Sequence, residues 1–316
     1  MTNTTIIVGA GLSGLLLARA LVDRGASVMV LEKGREVGGR MATKRVRESV
    51  FDHGAQFFTV SDARFNGIVA DWSQRGLVFP WPGSPHRWLG KPSMAAIPKA
   101  LSADLEILRD HKVTSAMRAG EGWEMAIEGH GLLHAERLLL TLPLPLSLAI
   151  LQAGDVVLPP NANDLGAIGY DPCLALLVAL AGESTLPVDG ILVDRGAIRW
   201  IADNSKKGIS RTGLGAVTIH ATTGFSRAHY GKPEVEITKL LLQEAQTWFG
   251  ESPIVATSLQ RFNFSEPQRF YPEPCLWLAD LALGFAGDAF GARGIEGAAL
   301  SGLALAERIG PHLKVE

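Results

Sequence analysis

The stretch TTIIVGAGLSGLLLARALVDRGASVMVLEKGREVGGR, residues 4–40, decides the fold of this chain. A short β-rich apolar run leads into a turn with three spaced glycines, and an apolar helix is predicted over residues 15–22. In such a turn Gly9 permits the tight bend, Gly11 lets the backbone approach a pyrophosphate, and Gly14 lets the helix pack close to the strand. The free N–H groups and the dipole of the helix favour a phosphate at its start.

The second half of the stretch adds an acid at the expected distance. SVMVL at residues 27–31 predicts a second strand, and Glu32 follows it, 18 residues after Gly14. A carboxylate ~20 residues after such glycines accepts hydrogen bonds from a ribose. A glycine-rich turn alone is weak evidence. Strand, helix, second strand and acid in this order predict a site for the ADP half of a dinucleotide.

The segment Gly38-Gly39-Arg40 favours FAD over NAD as that dinucleotide. The two glycines allow a tight turn just past the acid, so that Arg40 can reach back to the pyrophosphate as a fixed cation. The alternative interpretation of Arg40 is a solvated surface arginine.

The C-terminal region carries a second glycine-rich pattern, GFAGDAFGARGIEGAALSGLALAERI at residues 284–309. It predicts a strand that ends in Gly287-Asp288, then a loop, and a helix that begins near Ile295. Asp288 is placed to accept a hydrogen bond from a sugar-like hydroxyl, and the helix start suits the negative charge of a reduced flavin. Small residues such as Gly297 keep this helix thin. The alternative interpretation is a capped helix that packs on the sheet, without a ligand. An NAD site would not explain glycine-rich patterns at both ends of the chain, because the residues that mark an NAD site lie within the first strand–helix–strand unit.

Composition limits the class of protein. A chain of 316 residues predicts about two domains, and 47% hydrophobic against 20% charged residues predicts a large core. The net charge of −2 gives no indication of nucleic acid or membrane as a partner. Two distant cysteines exclude a disulfide framework and favour a cytoplasmic location. No apolar run reaches the ~18 residues of a membrane helix, and the N-terminus lacks the basic start of a signal peptide.

The order of predicted elements gives an α/β fold: a Rossmann-type FAD-binding domain with a parallel, glutathione-reductase-like sheet, and a second α+β substrate domain on a mostly antiparallel sheet. Short strands near residues 106–108, 113–117 and 123–127 predict a small meander, and residues 137–143 a strand that returns to the main sheet. Later β-rich segments and one helix near residues 235–249 predict the second domain. We expect a discontinuous FAD-binding domain (1–56, 94–143, 271–316) and a substrate domain (57–93, 144–270).

With both ends considered, the chain resembles the flavin amine-oxidase superfamily, and more narrowly the renalase family with its bacterial members. The superfamily resemblance rests on Gly9 to Gly14, Glu32, Gly38-Gly39-Arg40-Met41-Ala42-Thr43, Asp52-His53-Gly54-Ala55-Gln56-Phe57 and Gly287-Asp288. The narrower one rests on Thr141-Leu142-Pro143-Leu144-Pro145, Ile198-Arg199-Trp200-Ile201, Asp203-Asn204-Ser205-Lys206-Lys207 and Ile219-His220-Ala221-Thr222-Thr223.

The resemblance implies FAD held between the two ends of the chain. The residues expected to bind it are Gly9, Gly11, Leu12, Ser13, Gly14, Glu32, Lys33, Gly39, Arg40, Met41, Ala55, Gln56, Val113, Gly287, Asp288, Ile295 and Gly297. Some superfamily members attach FAD through a cysteine. Cys275 lies 13 residues before Asp288, closer than that attachment site, so non-covalent FAD is expected.

The renalase resemblance implies an oxidase for aberrant 2- or 6-dihydro-NAD(P) isomers, which returns β-NAD(P)+ and reduces dioxygen to hydrogen peroxide. The partners are then a small-molecule dinucleotide and dioxygen. Animal renalase has a histidine in the segment that matches residues 261–264, RFNF, and its absence here puts the lining of the active site in doubt.

Hydride transfer from a dihydronicotinamide releases no proton, so no catalytic side chain is required and positioning should determine the rate. Histidines show no pairing with a nucleophile, and no metal site is predicted. The substrate pocket is expected to be flat and aromatic, with cations for phosphates. The candidates are Phe57, Phe58, Thr59, Arg64, Met94, Ala95, Ala96, Trp200 and Phe290, with Trp88, Phe264, Arg199 and Arg293 as weaker ones. Ordinary packing, or a structural arginine, is the alternative for each.

Two other functions remain open from the sequence. A flavin amine oxidase or desaturase often uses a lysine-bound water near the flavin, and the sequence does not identify such a lysine. A carrier of the GDP-dissociation-inhibitor type keeps the fold without using flavin. Glu32, Arg40 and Asp288 argue against a carrier.

Overall fold

The computed structural model describes residues 4–310. Its strands are β1 (Thr4–Val8), β2 (Ser27–Leu31), β3 (Thr43–Val46), β4 (Ser49–Asp52), β5 (Val78–Trp81), β6 (Ser84–Gly90), β7 (Glu106–Leu108), β8 (Val113–Ala119), β9 (Gly122–Ile127), β10 (Gly131–Ala135), β11 (Arg137–Leu140), β12 (Tyr170–Leu180), β13 (Ile191–Arg195), β14 (Ile198–Asp203), β15 (Ala216–Ala221), β16 (Ile254–Pro267), β17 (Leu276–Leu278) and β18 (Leu283–Phe285). Its α-helices are α1 (Leu12–Val22), α2 (Ala63–Gln74), α3 (Ala96–Leu101), α4 (Leu144–Gln152), α5 (Thr223–His229), α6 (Glu234–Ala245) and α7 (Gly294–Ile309).

A six-stranded sheet in the order β17-β18-β11-β1-β2-β7 combines strands from the N-terminal part of the chain with β17 and β18, which precede the last helix, α7. All its pairs are parallel except β17 with β18. Alternate residues of β1 face opposite sides: Ile7 packs with α1 and α7, and Ile6 packs with the meander β8-β9-β10. Burial on both faces explains why β1 and β11 are continuous apolar runs. The predicted Rossmann-type sheet and the returning strand are confirmed. The predicted meander is confirmed for β8 and β9, but its third strand is β10, and the strand at residues 106–108 pairs with β2 in the parallel sheet instead.

A five-stranded antiparallel sheet in the order β13-β14-β15-β12-β16 forms the second layer system. One face is covered by α6, which places Ile237 and Leu241 on apolar residues of β12 and β15. The opposite face meets β4 and the hairpin β5-β6, through Phe51 and Trp81. The predicted antiparallel sheet with a covering helix is therefore confirmed, although the helix ends at Ala245.

Helix α2 is an element that the sequence pattern does not predict. Its buried residues Phe65, Val69 and Trp72 follow a helical period of four and three, but the prolines and glycines after residue 79 suggest an irregular excursion. This apolar side packs against Leu12 and Ala299, so α2 lies on the glycine-rich end of the parallel sheet rather than on the antiparallel sheet.

The discontinuous domain division remains a prediction, and its residues 1–3 and 311–316 lie outside the described part of the chain. Within residues 4–310, no helix combines the length and the apolar character that a membrane crossing requires.

Candidate functional site

The glycine turn after β1 has the shape that the sequence predicts. The N–H of Gly9 donates to the carbonyl of Leu31 over 2.8 Å, which joins the turn to β2. A Cβ on Gly14 would lie 2.1 Å from the Gly9 carbonyl oxygen, so this position requires glycine. A Cβ on Gly11 would meet no atom within 4 Å. The turn therefore leaves open space in front of Gly11, where the sequence places a pyrophosphate.

Two helix starts follow the carboxyl ends of two parallel strands of the six-stranded sheet. α1 begins at Leu12 after β1, α7 begins at Gly294 after β18, and neither start is capped by a side chain. The strands β1 and β18 flank β11 in the sheet. In α/β sheets ligands bind outside the carboxyl ends of the strands, and uncapped helix starts attract anions. We call the region formed by residues 9–14, Glu32, residues 38–40 and residues 287–297 the nucleotide cradle.

Glu32 is fixed by two backbone hydrogen bonds. Its carboxylate accepts from Ala10 N over 2.9 Å and from Gly34 N over 2.8 Å. The backbone carbonyl of Glu32 accepts a hydrogen bond from His111 N, which lies two residues before Val113. These contacts hold the carboxylate beside the glycine turn and leave lone pairs on both oxygens for a hydroxyl.

Arg40 and Asp288 connect the two ends of the cradle. Nη1 of Arg40 lies 2.5 Å from Oδ2 of Asp288 and also donates to the carbonyl of Ser265 over 3.0 Å. The other oxygen of Asp288 accepts from the Tyr170 hydroxyl over 3.0 Å. Burial would lower the pKa of Arg40, but the Asp288 carboxylate outweighs it, so the guanidinium stays charged. Burial and the Asp288 charge raise the pKa of Tyr170, which remains a neutral donor.

The segment 53–57 contacts the backbone of Arg40 through Gly54 and Ala55. Ala55 N donates to the Arg40 carbonyl over 2.9 Å, and a Cβ on Gly54 would lie 2.1 Å from that oxygen. This close approach places Gln56 one residue after a backbone contact with Arg40 of the cradle. Gln56 in turn contacts Lys207 through its side chain and its carbonyl, at 2.6 and 3.2 Å from Nζ.

Lys207 is a fully buried cation that the sequence pattern does not single out. Its side chain is 2% exposed, and Nζ lies 5.0 Å from the centre of the Trp81 ring. Burial lowers the pKa of Lys207 to about 8, although the charges of Asp52 and Asp203 act in the opposite direction. A buried lysine is therefore present in this region, and it enters from the end of β14.

A network of hydrogen bonds around Asp52 and Asn204 lies next to Lys207 and residues 53–57. The Asp52 carboxylate accepts from Thr43 Oγ1 over 2.8 Å and from Met94 N over 3.1 Å, while its Oδ2 is buried without a partner. Burial raises the pKa of Asp52. Asn204 accepts from Asp52 N over 3.1 Å and donates to Thr218 Oγ1 over 2.9 Å. Asn204 therefore fixes the end of β4 against the antiparallel sheet.

Two neutral histidines lie next to the same segment. Nε2 of His220 donates to the carbonyl of His53 over 3.0 Å. Burial lowers the pKa of each histidine to about 4. Because Nε2 of neutral His220 carries the proton, its Nδ1 is an acceptor.

Three aromatic rings pack together next to Gln56, beginning with the ring of the following residue, Phe57. The ring of Phe57 lies 5.5 Å from Trp81 and 5.4 Å from Trp200, and the two tryptophans are 6.0 Å apart. We call Phe57, Trp81 and Trp200 the aromatic box. The guanidinium carbon of Arg87 lies 4.5 Å from the centre of the Phe57 ring and 5.2 Å from that of Trp200.

Trp200 also lines a small cavity of about 110 Å³ beside Cys173, Arg199 and His220. Burial raises the pKa of the Cys173 thiol to about 11, so this side chain is not a nucleophile at neutral pH. Arg199 lies 3.0 Å from Glu266, whose other oxygen is 3.0 Å from Arg293. The two arginines are therefore paired with a carboxylate, as their structural interpretation expects.

Two of the predicted substrate contacts have other partners in the structure. Arg64 is 44% exposed and its ion pair is with Glu307, in the last turn of α7, far from the start of that helix. The helix start at residues 94–96 has no free N–H for a phosphate at two of its three positions, because Met94 N donates to Asp52 and Ala96 N to Ser93.

The remaining predicted residues divide into backbone and packing positions. Leu12 and Met41 place their side chains in the core, Lys33 is exposed, and Gly297 is required because its Cβ would lie 1.8 Å from the Ala292 carbonyl. The side chain of Ser13 is buried against Gly302 of α7. Gly39, Gly287 and Ile295 lie within the segments that form the cradle. Val113, Phe58 and Phe290 are buried in the core, Phe290 within the cradle segment 287–297, and Thr59 is exposed.

Between residues 4 and 310 the structure assembles no group of three His, Cys, Asp or Glu side chains that could hold a metal ion.

Comparison with known proteins agrees with this geometry. Residues 7–72 match the model of the NAD(P)-binding Rossmann-like domain. The lysine-specific histone demethylase 1 homolog 3 of Oryza sativa subsp. indica is 44% identical over 72 residues, 22% of this chain and 9% of that protein. Protoporphyrinogen oxidase 1 of Arabidopsis thaliana, a chloroplast protein, is 29% identical over 126 residues, 39% of this chain and 23% of that protein. The chain thus spans less than a quarter of the length of these curated relatives.

A solved structure extends the likeness to the whole chain. Cyclohexylamine oxidase from Brevibacterium oxydans IH-35A superposes with a TM-score of 0.76 over 99% of each chain, at 13% identity. At this identity the likeness is one of fold. The comparisons thus show a Rossmann-like region at residues 7–72 and a fold shared with this oxidase over nearly the whole chain.

Proposed function

We propose that this protein binds FAD without a covalent bond and oxidises 2- or 6-dihydro-NAD(P) isomers to β-NAD(P)+. The observation that carries the proposal is a convergence of segments. Trp200, Lys207 and His220 come from three of the segments on which the renalase resemblance rests, and each contacts residues 53–57: Trp200 the Phe57 ring, Lys207 Gln56, and His220 the His53 carbonyl.

The nucleotide cradle fits the adenosine and pyrophosphate parts of FAD. The uncapped start of α1 and the open space before Gly11 suit a pyrophosphate, with Arg40 as the cation beside it. The carboxylate of Glu32, held against Ala10, suits a ribose hydroxyl. Residues 54–56 and the start of α7 would then flank the flavin.

The chemistry asks for positioning more than for acid or base catalysis. When bound, FAD supplies a hydride acceptor that dioxygen re-oxidises with formation of hydrogen peroxide. A dihydronicotinamide that loses hydride becomes an aromatic cation and releases no proton, so the neutral Cys173 and His220 need not transfer one. The aromatic box would orient a flat ring, and the half-buried segment 53–57, with Gln56 buried, would limit the access of water to the reacting atoms.

The test is anaerobic reduction of the FAD-loaded protein. Chemically reduced NAD contains 2-, 4- and 6-dihydro isomers, and we expect bleaching by the 2- and 6-isomers with none by ordinary NADH. A protein that is colourless after purification and stays so with added FAD would instead favour a carrier of the GDP-dissociation-inhibitor type.

A second candidate function is a flavin amine oxidase or desaturase, and Lys207 is the observation that favours it. This lysine is buried beside Gln56, and members of that class often hold a water near the flavin with a lysine. Anaerobic bleaching by an amine, without bleaching by reduced NAD, would support this candidate. The positive charge that Arg87 and Lys207 place around the Trp81 ring weighs against it.

A further inference from the structure

The aromatic box already contains a cation of this chain. The guanidinium carbon of Arg87 lies 4.5, 5.2 and 5.7 Å from the ring centres of Phe57, Trp200 and Trp81. A box of aromatic rings attracts cations through the negative faces of the rings. Here the attraction is satisfied from within, so a protonated amine entering the box would have to displace Arg87 or lie beside it.

Arg87 and Lys207 are two cations without a direct ion pair, although the charges of Asp52 and Asp203 act on Lys207 from a greater distance. Among residues 4–310, neither has a carboxylate oxygen within 4.0 Å. Lys207 has Gln56 as its hydrogen-bond partner, and Arg87 has the carbonyl of Asp189, 3.2 Å from Nη1. Both cations lie within 6 Å of the Trp81 ring centre, so two positive groups lie against the same ring of the aromatic box. A desolvated cation is costly unless an anion or several acceptors compensate it.

The free hydrogen-bonding capacity of Arg87 suits a phosphate. A guanidinium has five N–H donors in a planar fork, and the one hydrogen bond to Asp189 leaves most of them unused. The fork binds phosphate oxygens in pairs while its flat faces stay on aromatic rings. Trp200, the ring that joins the box to the small cavity, also has a buried Nε1 without a partner.

We propose that Arg87 is a specificity-determining residue that binds a phosphate of the substrate and makes the site reject protonated amines. This inference rests on the proposed function in one respect, namely that the aromatic box binds the nicotinamide ring of the substrate. Arg87 lies on β6, and its guanidinium lies over the ring of Phe57. Phe57 follows two residues after Ala55, whose N–H donates to the Arg40 carbonyl, so the chain leads directly from the cradle to the aromatic box.

The test compares two oxidised ligands that do not react and differ in one phosphate. Nicotinamide mononucleotide and nicotinamide riboside are titrated into the FAD-loaded protein by calorimetry. We expect the mononucleotide to bind roughly tenfold or more tightly in the wild type, as a charge-assisted hydrogen bond allows. In Arg87→Gln the ratio should fall to about one with riboside binding kept, and Arg87→Lys should retain part of it. Arg75→Ala, which removes an exposed arginine at the C-terminal cap of α2, is the control.

Two further arms distinguish a role of Arg87 in substrate binding from a role in FAD binding. Benzylamine at pH 7 should bind Arg87→Gln more tightly than the wild type, because the competing cation has left the box. FAD affinity should be equal in both proteins. Equal binding of the two nicotinamide ligands to the wild type, an unchanged ratio in Arg87→Gln, or a loss confined to FAD affinity would overturn the inference. Because the ligands are already oxidised, none of these results depends on whether reduced isomers bleach the flavin.

Discussion

Nη1 of Arg40 lies 2.5 Å from Oδ2 of Asp288, although 248 residues separate the two in sequence. The pair joins the first glycine-rich segment to the last one, and Tyr170 of the antiparallel sheet completes it through the second oxygen of Asp288. One ion pair thus connects the two ends of the nucleotide cradle to each other and, through Tyr170, to the antiparallel sheet.

Arg40→Ala should weaken FAD binding much more than it weakens folding. Removing a charge-assisted contact to a pyrophosphate costs about 1.5–3 kcal/mol, which is about tenfold to a hundredfold in Kd. The measurement is an FAD titration followed by flavin fluorescence, with thermal unfolding of the apoprotein alongside. Tyr170→Phe is the matched control, because it removes the other partner of Asp288 and keeps Arg40. Tightly bound FAD in Arg40→Ala would contradict the pyrophosphate role.

Gly11→Ala and Gly14→Ala should fail in different ways. Gly11 has φ −78° and free space around an added Cβ, so alanine is compatible with the fold but occupies the space assigned to the pyrophosphate. We expect unfolding free energy within about 0.5 kcal/mol of wild type and FAD affinity at least tenfold lower. Gly14→Ala puts a Cβ 2.1 Å from the Gly9 oxygen and should cost about 1–3 kcal/mol of stability. Denaturant unfolding without FAD measures the first quantity, and an FAD titration the second; the opposite order of effects would refute the assignment.

Lys207 should make stability rise with pH between about 8 and 10.5. Its pKa is lowered in the folded protein, so over this range the unfolded chain binds the additional proton and alkali favours folding. The full cost, about 3 kcal/mol from the shift, is present below pH 8. Lys207→Met should remove this rise, whereas Lys99→Met, at a 62% exposed position, should not. The comparison must be a difference between variants, because burial raises the pKa of Cys173 and Cys275 and so gives the opposite slope.

The two buried histidines predict loss of stability in mild acid. The pKa values of His53 and His220 fall to about 4 in the folded protein from an ordinary 6.5. The unfolded chain therefore takes up protons first, and the stabilising contribution present above pH 6.5 is lost as the pH falls toward 4. Urea unfolding at pH 7 and pH 5 should show the decrease, and His220→Asn should reduce it. Nitrogen chemical shifts of a protonated His220 at pH 6 would contradict the argument.

The sequence predicted most of what depends on local pattern. The glycine turn, Glu32 and the segment 287–297 each carry their signal within a few residues, and the structure has them at the carboxyl ends of parallel strands. Helix α4 was missed because residues 144–152, LPLSLAILQ, are apolar on most sides and begin beside prolines, so that no face is marked by polar residues.

The site residues that the sequence missed all depend on contacts between distant segments. Tyr170, Lys207 and Arg87 are each identified only by a partner more than 100 residues away: Asp288, Gln56 and Trp200. The pair of lysines in Asp203-Asn204-Ser205-Lys206-Lys207 was visible, yet only the fold shows that Lys206 bonds to carbonyls of residues 184 and 186 while Lys207 turns inward to Gln56. The sequence offers Arg64 as a cation for substrate phosphates, but the structure has this side chain 44% exposed and paired with Glu307.

The most direct test of the proposed function is rapid anaerobic mixing of the FAD-loaded protein with purified 6-dihydro-NAD, followed at the flavin absorbance maximum. We predict complete bleaching, recovery of the yellow colour with hydrogen peroxide when air is admitted, and no bleaching by 4-dihydro NADH. Fast bleaching by ordinary NADH, or bleaching by an amine and not by the 6-isomer, would contradict the proposal.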